Sequence, residues 1–268
     1  MSPMELITSL QNPRVKLAAK LHDRRARRQQ GRFSIHGARE LRRALEAGVR
    51  PEETFICPAL AEGPEAQTAL QLLRQCGGAL YEVTPAVFEK LSYGEREDGI
   101  VAVVASWTPS LEKLSLPASP LIAVLEGVEK PGNVGAVLRS ADAAGVSALV
   151  IADGGTDLFN PNTIRASLGT IFSVPTATAT SAETLAWLRR NKLHIYAARV
   201  DGAQDYTTVA FSQPSAIVLG SEAAGLSDAW LAEDVIPIRL PMRGRADSLN
   251  VSATAAVLFY EALRQRNL

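Results

Sequence analysis

Three segments hold residue types that could do chemistry. In Leu125-Glu-Gly-Val-Glu-Lys-Pro-Gly-Asn133-Val-Gly135-Ala136-Val-Leu-Arg139 an apolar run meets a Gly/Pro/Asn turn and then a helical stretch. The start of such a helix can hold an anion, because its first N–H groups have no partner within the helix. The plainer reading is a strand-to-helix turn with Arg139 on an exposed face. In Ile217-Val-Leu219-Gly220-Ser221-Glu222-Ala-Ala-Gly225 a strand runs into a loop of small residues bearing one carboxylate. Open α/β sheets bind ligands at that edge, although Ser221 and Glu222 could serve only as helix caps. In the third segment, Ile236-Pro-Ile238-Arg-Leu240 ends in a Pro/Gly/Arg loop, and Ser248 or Asn250 opens a helix. Ala253, Ala255 and Ala256 would let that helix press against a neighbour.

Several other chemistries fail on spacing. Gly127 to Gly132 matches the first half of a phosphate-binding loop, but Asn133-Val134 stands where Lys and Ser/Thr are required. No GxGxxG follows a strand, so a dinucleotide fold is unsupported. Cys57 and Cys76 lack CxxC spacing, and His22, His36 and His194 are isolated from one another and from any Cys, so no metal site is expected. Trp107, Trp187 and Trp230 are read as packing residues.

The elements that must position the three segments alternate. After a basic stretch from residue 14, read as one exposed helix, strand candidates GRFSIH, TFIC, ALYEV and GIVAVVAS are separated by helical runs at ARELRRALEAG, near 65–75 and after Thr84-Pro85. This is an α/β layer pattern. Residues 108–119, rich in Pro, read as a linker. Beyond it LIAVLEG, ALVIAD, LHIYAARV, AIVLG and VIPIRL read as strands, with helices at GAVLRSADAAG, 181–191 and 248–266. Continuously apolar strands such as AIVL imply a parallel sheet covered on both faces. The division is therefore 1–107, a linker at 108–119, and 120–268.

Net charge is zero over 268 residues, but residues 1–50 hold twelve Arg and Lys against four Asp and Glu. Such asymmetry points to a polyanion-binding end. The start of the chain lacks a basic segment followed by a long apolar one, and no apolar run approaches a membrane span of about 20 residues. A soluble, reduced, cytoplasmic protein is expected, with no membrane partner.

Taken together and in order, the three segments resemble the signature motifs of the SpoU/TrmH family of SPOUT RNA 2′-O-ribose methyltransferases. Asn133, Gly135, Ala136 and Arg139 carry the first motif, Leu219-Gly220-Ser221-Glu222 and Gly225-Leu226 the second, and Ser248-Leu249-Asn250-Val251-Ser252-Ala253 the third. Asn160-Pro-Asn-Thr-Ile-Arg165-Ala-Ser167-Leu-Gly169 is similar to the family's segment between motifs. More loosely, Ser9-Leu-Gln-Asn12-Pro13-Arg-Val15-Lys16 and Phe33-Ser-Ile-His-Gly37 resemble the L30e-like substrate-binding domain often joined to it.

The resemblance implies a parallel α/β domain closed by a trefoil knot, preceded by a small L30e-like α/β domain. It implies S-adenosylmethionine as cofactor, held around Leu219, Gly220, Ile238, Leu240, Leu249 and Asn250. It also implies a homodimer, and an RNA substrate, with ribosomal RNA favoured by the L30e-like domain. Asn133, Arg139, Glu222, Ser248 and Asn250 become the catalytic candidates. A guanidinium keeps its proton above pH of about 12, so Arg139 suits a phosphate grip better than a base. Arg165, Lys16, Arg24, Arg25, Arg27 and Arg28 are the RNA-contact candidates. The alternatives are a transfer RNA methyltransferase and an RNA-binding protein of this fold without the chemistry. One departure stands out: Lys130 occupies a position where many relatives carry Asp or Asn.

Overall fold

The computed structural model describes residues 4–94 and 98–267. Met1–Pro3, the first part of the chain start considered above, lies outside the described residues. The chain forms two compact units: residues 1–108 with 157–173, and residues 109–156 with 174–268.

The first unit has a mixed five-stranded sheet of β1 (Glu5–Ile7), β2 (Arg32–His36), β3 (Glu53–Ile56), β4 (Ala79–Val83) and β5 (Ile100–Ala105), ordered β1-β4-β3-β5-β2. β1, β4 and β3 run parallel, and β5 lies antiparallel to both β3 and β2. Its helices are α1 (Pro13–Ala19), α2 (Arg24–Gln30), α3 (Ala38–Glu46), α4 (Pro64–Cys76) and α5 (Pro85–Leu91). The second unit has a seven-stranded sheet, ordered β10-β12-β9-β11-β6-β7-β8 and parallel at every pairing. These are β6 (Leu121–Glu126), β7 (Ala148–Ala152), β8 (Thr176–Ala179), β9 (His194–Ala198), β10 (Gln204–Asp205), β11 (Ser215–Leu219) and β12 (Val235–Arg239). Of the later helices, α6 (Pro131–Ala143), α8 (Ser181–Arg190) and α9 (Val251–Arg266) belong to this unit, while α7 (Pro161–Ala166) belongs to the first.

Every residue of β6, β7 and β11 is buried, as expected of parallel strands covered on both faces. Strands β1, β8 and β10 were not expected; they are two to four residues long, too short to show a period. Residues 109–116 are not a free linker. Leu111 is buried in the core of the second unit, with Leu114 and Leu116 packed beside it, and Thr178 donates from both its N–H and its Oγ1 to the Pro109 carbonyl.

The basic stretch is not one helix. After α1 a single 3-10 turn, Lys20–His22, gives way to Asp23 in extended geometry. The Asp23 carboxylate accepts from the Ala26 N–H at 3.0 Å and so caps α2. Asp is a favoured N-cap because its oxygen satisfies an orphan amide. Arg27 also departs from its expected role. It is 4 % exposed, donates to Asp157 through Nε (2.9 Å) and Nη2 (2.7 Å), and donates to the Leu21 and His22 carbonyls. Desolvated and fully partnered, it is a structural tie and not an RNA contact.

Asp157 begins the segment that joins the first unit from far along the chain. Phe159 stacks on Phe33 with centroids 4.5 Å apart, Arg43 donates to the Leu168 carbonyl, and Asn162 donates to the Tyr93 hydroxyl at 3.0 Å. Gly169 lies at φ 85°, where a Cβ would stand 3.1 Å from the Glu40 Cα. The sequence reading had grouped this segment with 120–268. His22 and His36, read as isolated, are neighbours with ring centroids 5.3 Å apart, because the 3-10 turn packs beside β2. Among the described residues no group of three or more His, Cys, Asp or Glu is placed to hold an ion. Trp187 and Trp230 are buried, and Trp107 packs edge-on against Phe33 and Phe159. No helix among the described residues is long and apolar enough to cross a membrane.

Removing one partner of a buried ion pair leaves the other uncompensated. Arg27→Ala should therefore lower unfolding free energy by about 3 kcal/mol or more, whereas exposed Arg28→Ala should change it by less than about 0.5 kcal/mol. Chemical denaturation of both variants checks the contrast.

Candidate functional site

A parallel sheet delivers the C-terminal ends of its strands to one edge, and here the ends of β9, β11 and β12 converge. The residues after them, with the start of α9, line a cavity of about 160 Å³. Ala198 ends β9 and Arg199 and Val200 follow it, Leu219 ends β11 and Gly220–Glu222 and Gly225 follow it, and Leu240, Met242 and Asp247–Leu249 follow β12. Two glycines make the convergence possible. A Cβ on Gly220 would lie 2.3 Å from the Gly225 backbone, and one on Gly202 would lie 2.6 Å from that of Ile238. The loop after β11 closes on itself through reciprocal hydrogen bonds between Ser221 and Gly225, 3.2 and 3.0 Å long.

At the cavity's edge the three segments meet through side chains. Glu222 Oε1 accepts from Asn133 Nδ2 at 3.0 Å and from Asn250 Nδ2, and Oε2 accepts from Lys130 Nζ at 2.9 Å. Asn250 Nδ2 also donates to Asn133 Oδ1 at 3.4 Å. Local rules fix these groups. Pro131 starts α6 with a pre-set φ, placing Asn133 in the first turn. Asn250 is the N-cap of α9, its Oδ1 accepting from the Ser252 N–H at 3.0 Å and the Ser252 hydroxyl at 2.6 Å. Lys130 above all, helped by Asn133 and the Val251 N–H, holds the Glu222 carboxyl below the usual carboxylate range despite some desolvation. It stays ionised, an acceptor ringed by donors.

The expected residues divide accordingly. Asn133, Glu222 and Asn250 form the cluster, and Leu219, Gly220, Leu240, Ser248 and Leu249 line the adjoining cavity. Ile238 is buried beneath the lining and does not reach it. Arg139 stands apart: six residues beyond Asn133 on α6, it lies roughly 9 Å along the axis and on another face. It is exposed, and among the described residues it has no hydrogen-bonding or ionic partner. In the first unit Lys16, Arg24, Arg25, Arg28 and Arg165 are exposed. Sequence reasoning missed Lys130 as Glu222's partner, along with Arg199, Val200, Met242, Asp247 and Thr254 in the lining. The rule that ligands gather at parallel strand ends would have flagged residues 199 and 200.

Comparison with known proteins shows the family. The model of the SpoU rRNA Methylase family matches residues 120–260. The chain belongs to that family. Residues 12–102 match a second model, the MRM3-like substrate binding domain. A 23S rRNA (uridine(2479)-2′-O)-methyltransferase of Streptomyces viridochromogenes is 30% identical over 257 residues, covering 92% of this chain and 88% of the relative. A solved RNA 2′-O ribose methyltransferase is 44% identical with a TM-score of 0.84, covering 98% of this chain and all of the other. An rRNA methyltransferase of Sinorhizobium meliloti, solved with S-adenosylmethionine bound, gives a TM-score of 0.87 at 28% identity over 97% and 98% of the two chains.

The chain is thus a methyltransferase with S-adenosylmethionine as its cofactor, and the cavity suits that molecule. Leu249 is 40 % exposed and Val200 72 % exposed, and both line it; apolar side chains left open to water around a concave site suit an aromatic base. The backbone of the loop after β11 lies open beside them, and Glu222 and Asp247 suit a cationic ligand.

Lys130→Met should raise the Glu222 pKa towards the ordinary range, read by NMR titration of the side-chain carboxyl; an unmoved value would remove Lys130 as the cause. Because the folded value is depressed, this pair's contribution to stability is present above about pH 4.3 and fades as pH falls through the folded pKa. The stability gap between wild type and variant should close over that acidic window.

Proposed function

We propose that the protein methylates a ribose 2′-hydroxyl of ribosomal RNA, working as a homodimer in the cytoplasm. The observation that carries the reading is the meeting of Asn133, Glu222 and Asn250, one from each signature segment, at the rim of a cavity with open apolar walls. Ribosomal RNA is favoured because the full-length relative from Streptomyces viridochromogenes bears that substrate in its name and shares both parts of the chain.

S-adenosylmethionine, when bound, supplies a methyl group already activated on a sulfonium, so no protein group must activate a leaving group. Leu219, Gly220, Leu240 and Leu249 would hold it, through backbone groups and apolar contact. The chain's remaining work is to seat the hydroxyl and tolerate the loss of its proton. Asn133 and Asn250 offer amide donors and acceptors for orientation, and the ionised Glu222 offers an acceptor for the hydroxyl proton. Ser248 at the cavity wall is a further hydroxyl partner. Arg139, unpaired and cationic, is suited to grip a neighbouring phosphate and to offset negative charge growing on the 2′-oxygen. Its distance from the cluster within one protomer favours a site completed by a second copy. Ala253, Val257 and Tyr260, spaced i, i+4, i+7 along α9, form an exposed stripe of the kind a partner helix covers.

In the first unit Arg24, Arg25 and Arg28 line an open concavity with Asp23 and Gln29. With Lys16 and Arg165 they form the proposed phosphate-binding set.

Transfer of label from S-adenosylmethionine to ribosomal RNA, mapped to a ribose, is the test. Arg139→Ala should lower the rate by about 100- to 1000-fold with cofactor affinity unchanged. Label on transfer RNA alone, or cofactor binding without transfer to any RNA, would replace this reading with one of its alternatives.

A further inference from the structure

An acid at the end of the apolar run LIAVL is the least expected residue in β6. Glu126 is 5 % exposed, and charged groups are almost never buried so completely unless paired. No cation answers it among the hydrogen bonds it makes. Oε1 accepts from the Ser181 hydroxyl at 2.5 Å and the Ser227 hydroxyl at 2.7 Å, and Oε2 accepts from the Ser227 N–H at 2.7 Å. Burial pushes its pKa up, but the bonds from Ser181 and Ser227 outweigh that and leave the carboxyl below its usual range.

Both partners are informative. Ser227 ends the loop that begins at Gly220, so its two bonds to Glu126 fix the far end of the segment carrying Glu222. The near end is fixed by β11, which pairs with β6 itself through Leu219 opposite Leu125. Between those ends the loop holds itself through the Ser221–Gly225 bonds, the Ala224 N–H to Ser221 Oγ bond at 3.1 Å and the Gly220–Gly225 approach. Ser181 opens α8, and its N–H donates to Asp153 at 2.9 Å, at the end of β7. Glu126 thus joins the loop to a helix already tied to the sheet. Glu126 does not line the cavity, so it acts through other residues.

We propose that Glu126 is a positioning residue: its buried carboxylate clamps Ser227 and thereby holds the 220–227 loop, with Glu222, in the shape that receives S-adenosylmethionine. This rests on the cavity being the cofactor site. A residue serving only general stability would act equally through either serine, and the two serines therefore separate the readings.

Three variants test it, by calorimetric titration with S-adenosylmethionine and by amide hydrogen exchange in the cofactor-free protein. Glu126→Ala should weaken cofactor binding about tenfold or more and speed exchange at the Gly225 and Ser227 amides. Glu126→Gln, whose amide can accept from the Ser227 N–H and donate to the hydroxyls, should restore most of both. Ser181→Ala should lower the melting temperature yet leave cofactor affinity within about twofold. Should Glu126→Ala fail to fold, Ser227→Ala, which loses only the hydroxyl bond, is expected to weaken binding severalfold. Equal cofactor affinity in wild type and the folded Glu126 or Ser227 variants would overturn the clamp, as would Ser181→Ala weakening binding as much as Glu126→Ala. A wild-type protein that binds no cofactor would instead overturn the assignment of the cavity, while the exchange rates would still report whether Glu126 holds the loop.

Discussion

Backbone pressed on backbone at the C-terminal edge of the parallel sheet is the constraint on which the site depends. Gly220 meets Gly225, and Gly202 meets the end of β12, at distances that leave no room for a Cβ. The first folds the loop after β11 back on itself, and the second presses the loop after β9 against β12. A parallel sheet makes this possible by sending all its strand ends to one side, and its fully buried strands make the platform rigid. The site then needs few side chains from the sheet itself. It uses open backbone, a few apolar residues, and polar groups at the starts of α6 and α9.

Two carboxylates at that edge have their ionisation favoured by different means. Glu222 is near water and is held ionised chiefly by a cation, Lys130. Glu126 is buried, and hydrogen-bond donors, chiefly those of Ser181 and Ser227, hold its carboxyl below the usual range. The first arrangement is adjustable, because Lys130 is on the surface and its side chain can swing to another anion. The second is not, because an ionised group with three short bonds in a dry site loses much if any bond opens. In the proposed site one carboxylate faces the chemistry and the other fixes the geometry around it. A depressed Glu222 is a weak base, and a guanidinium is none at all. The proposed reaction accordingly leans on alignment and charge compensation more than on proton abstraction by a strong base.

Much of this was legible in the chain. The three segments announced the edge, because turn residues at strand ends are punctuated by Gly and Pro, and the apolar strands β6, β7 and β11 read directly as a buried parallel sheet. An N-cap at Ser248 or Asn250 followed from residue type, and the structure gives it to Asn250. What could not be read was pairing across sequence distance. Arg27 looks like its neighbours in RRARRQQ, and only the fold shows it turned inward onto Asp157, 130 residues away. Glu126, at the end of an apolar strand run, finds its donors at Ser181 and Ser227, 55 and 101 residues away. The 157–173 segment carries a motif that sits between catalytic segments in sequence, yet its Phe159, Asn162 and Leu168 all find partners in the first unit.

The charge asymmetry of residues 1–50 shows the same limit in quantitative form. Twelve cations against four anions suggested a broad basic face. In the structure Arg14 pairs with Glu53, Arg32 with Glu52 and Glu53, Arg39 with Glu65, Arg42 with Glu46 and Glu65, and Arg27 with Asp157. Four of those five acids lie beyond residue 50, so about half of the excess is met within the unit by carboxylates the count left out. On α2, Arg24, Arg25 and Arg28 stay exposed and line the same open concavity. Arg27, buried on the inner side of α2, anchors that helix to the segment bearing Arg165. The residue that looked most like one more phosphate contact is what holds in place the helix proposed to make such contacts.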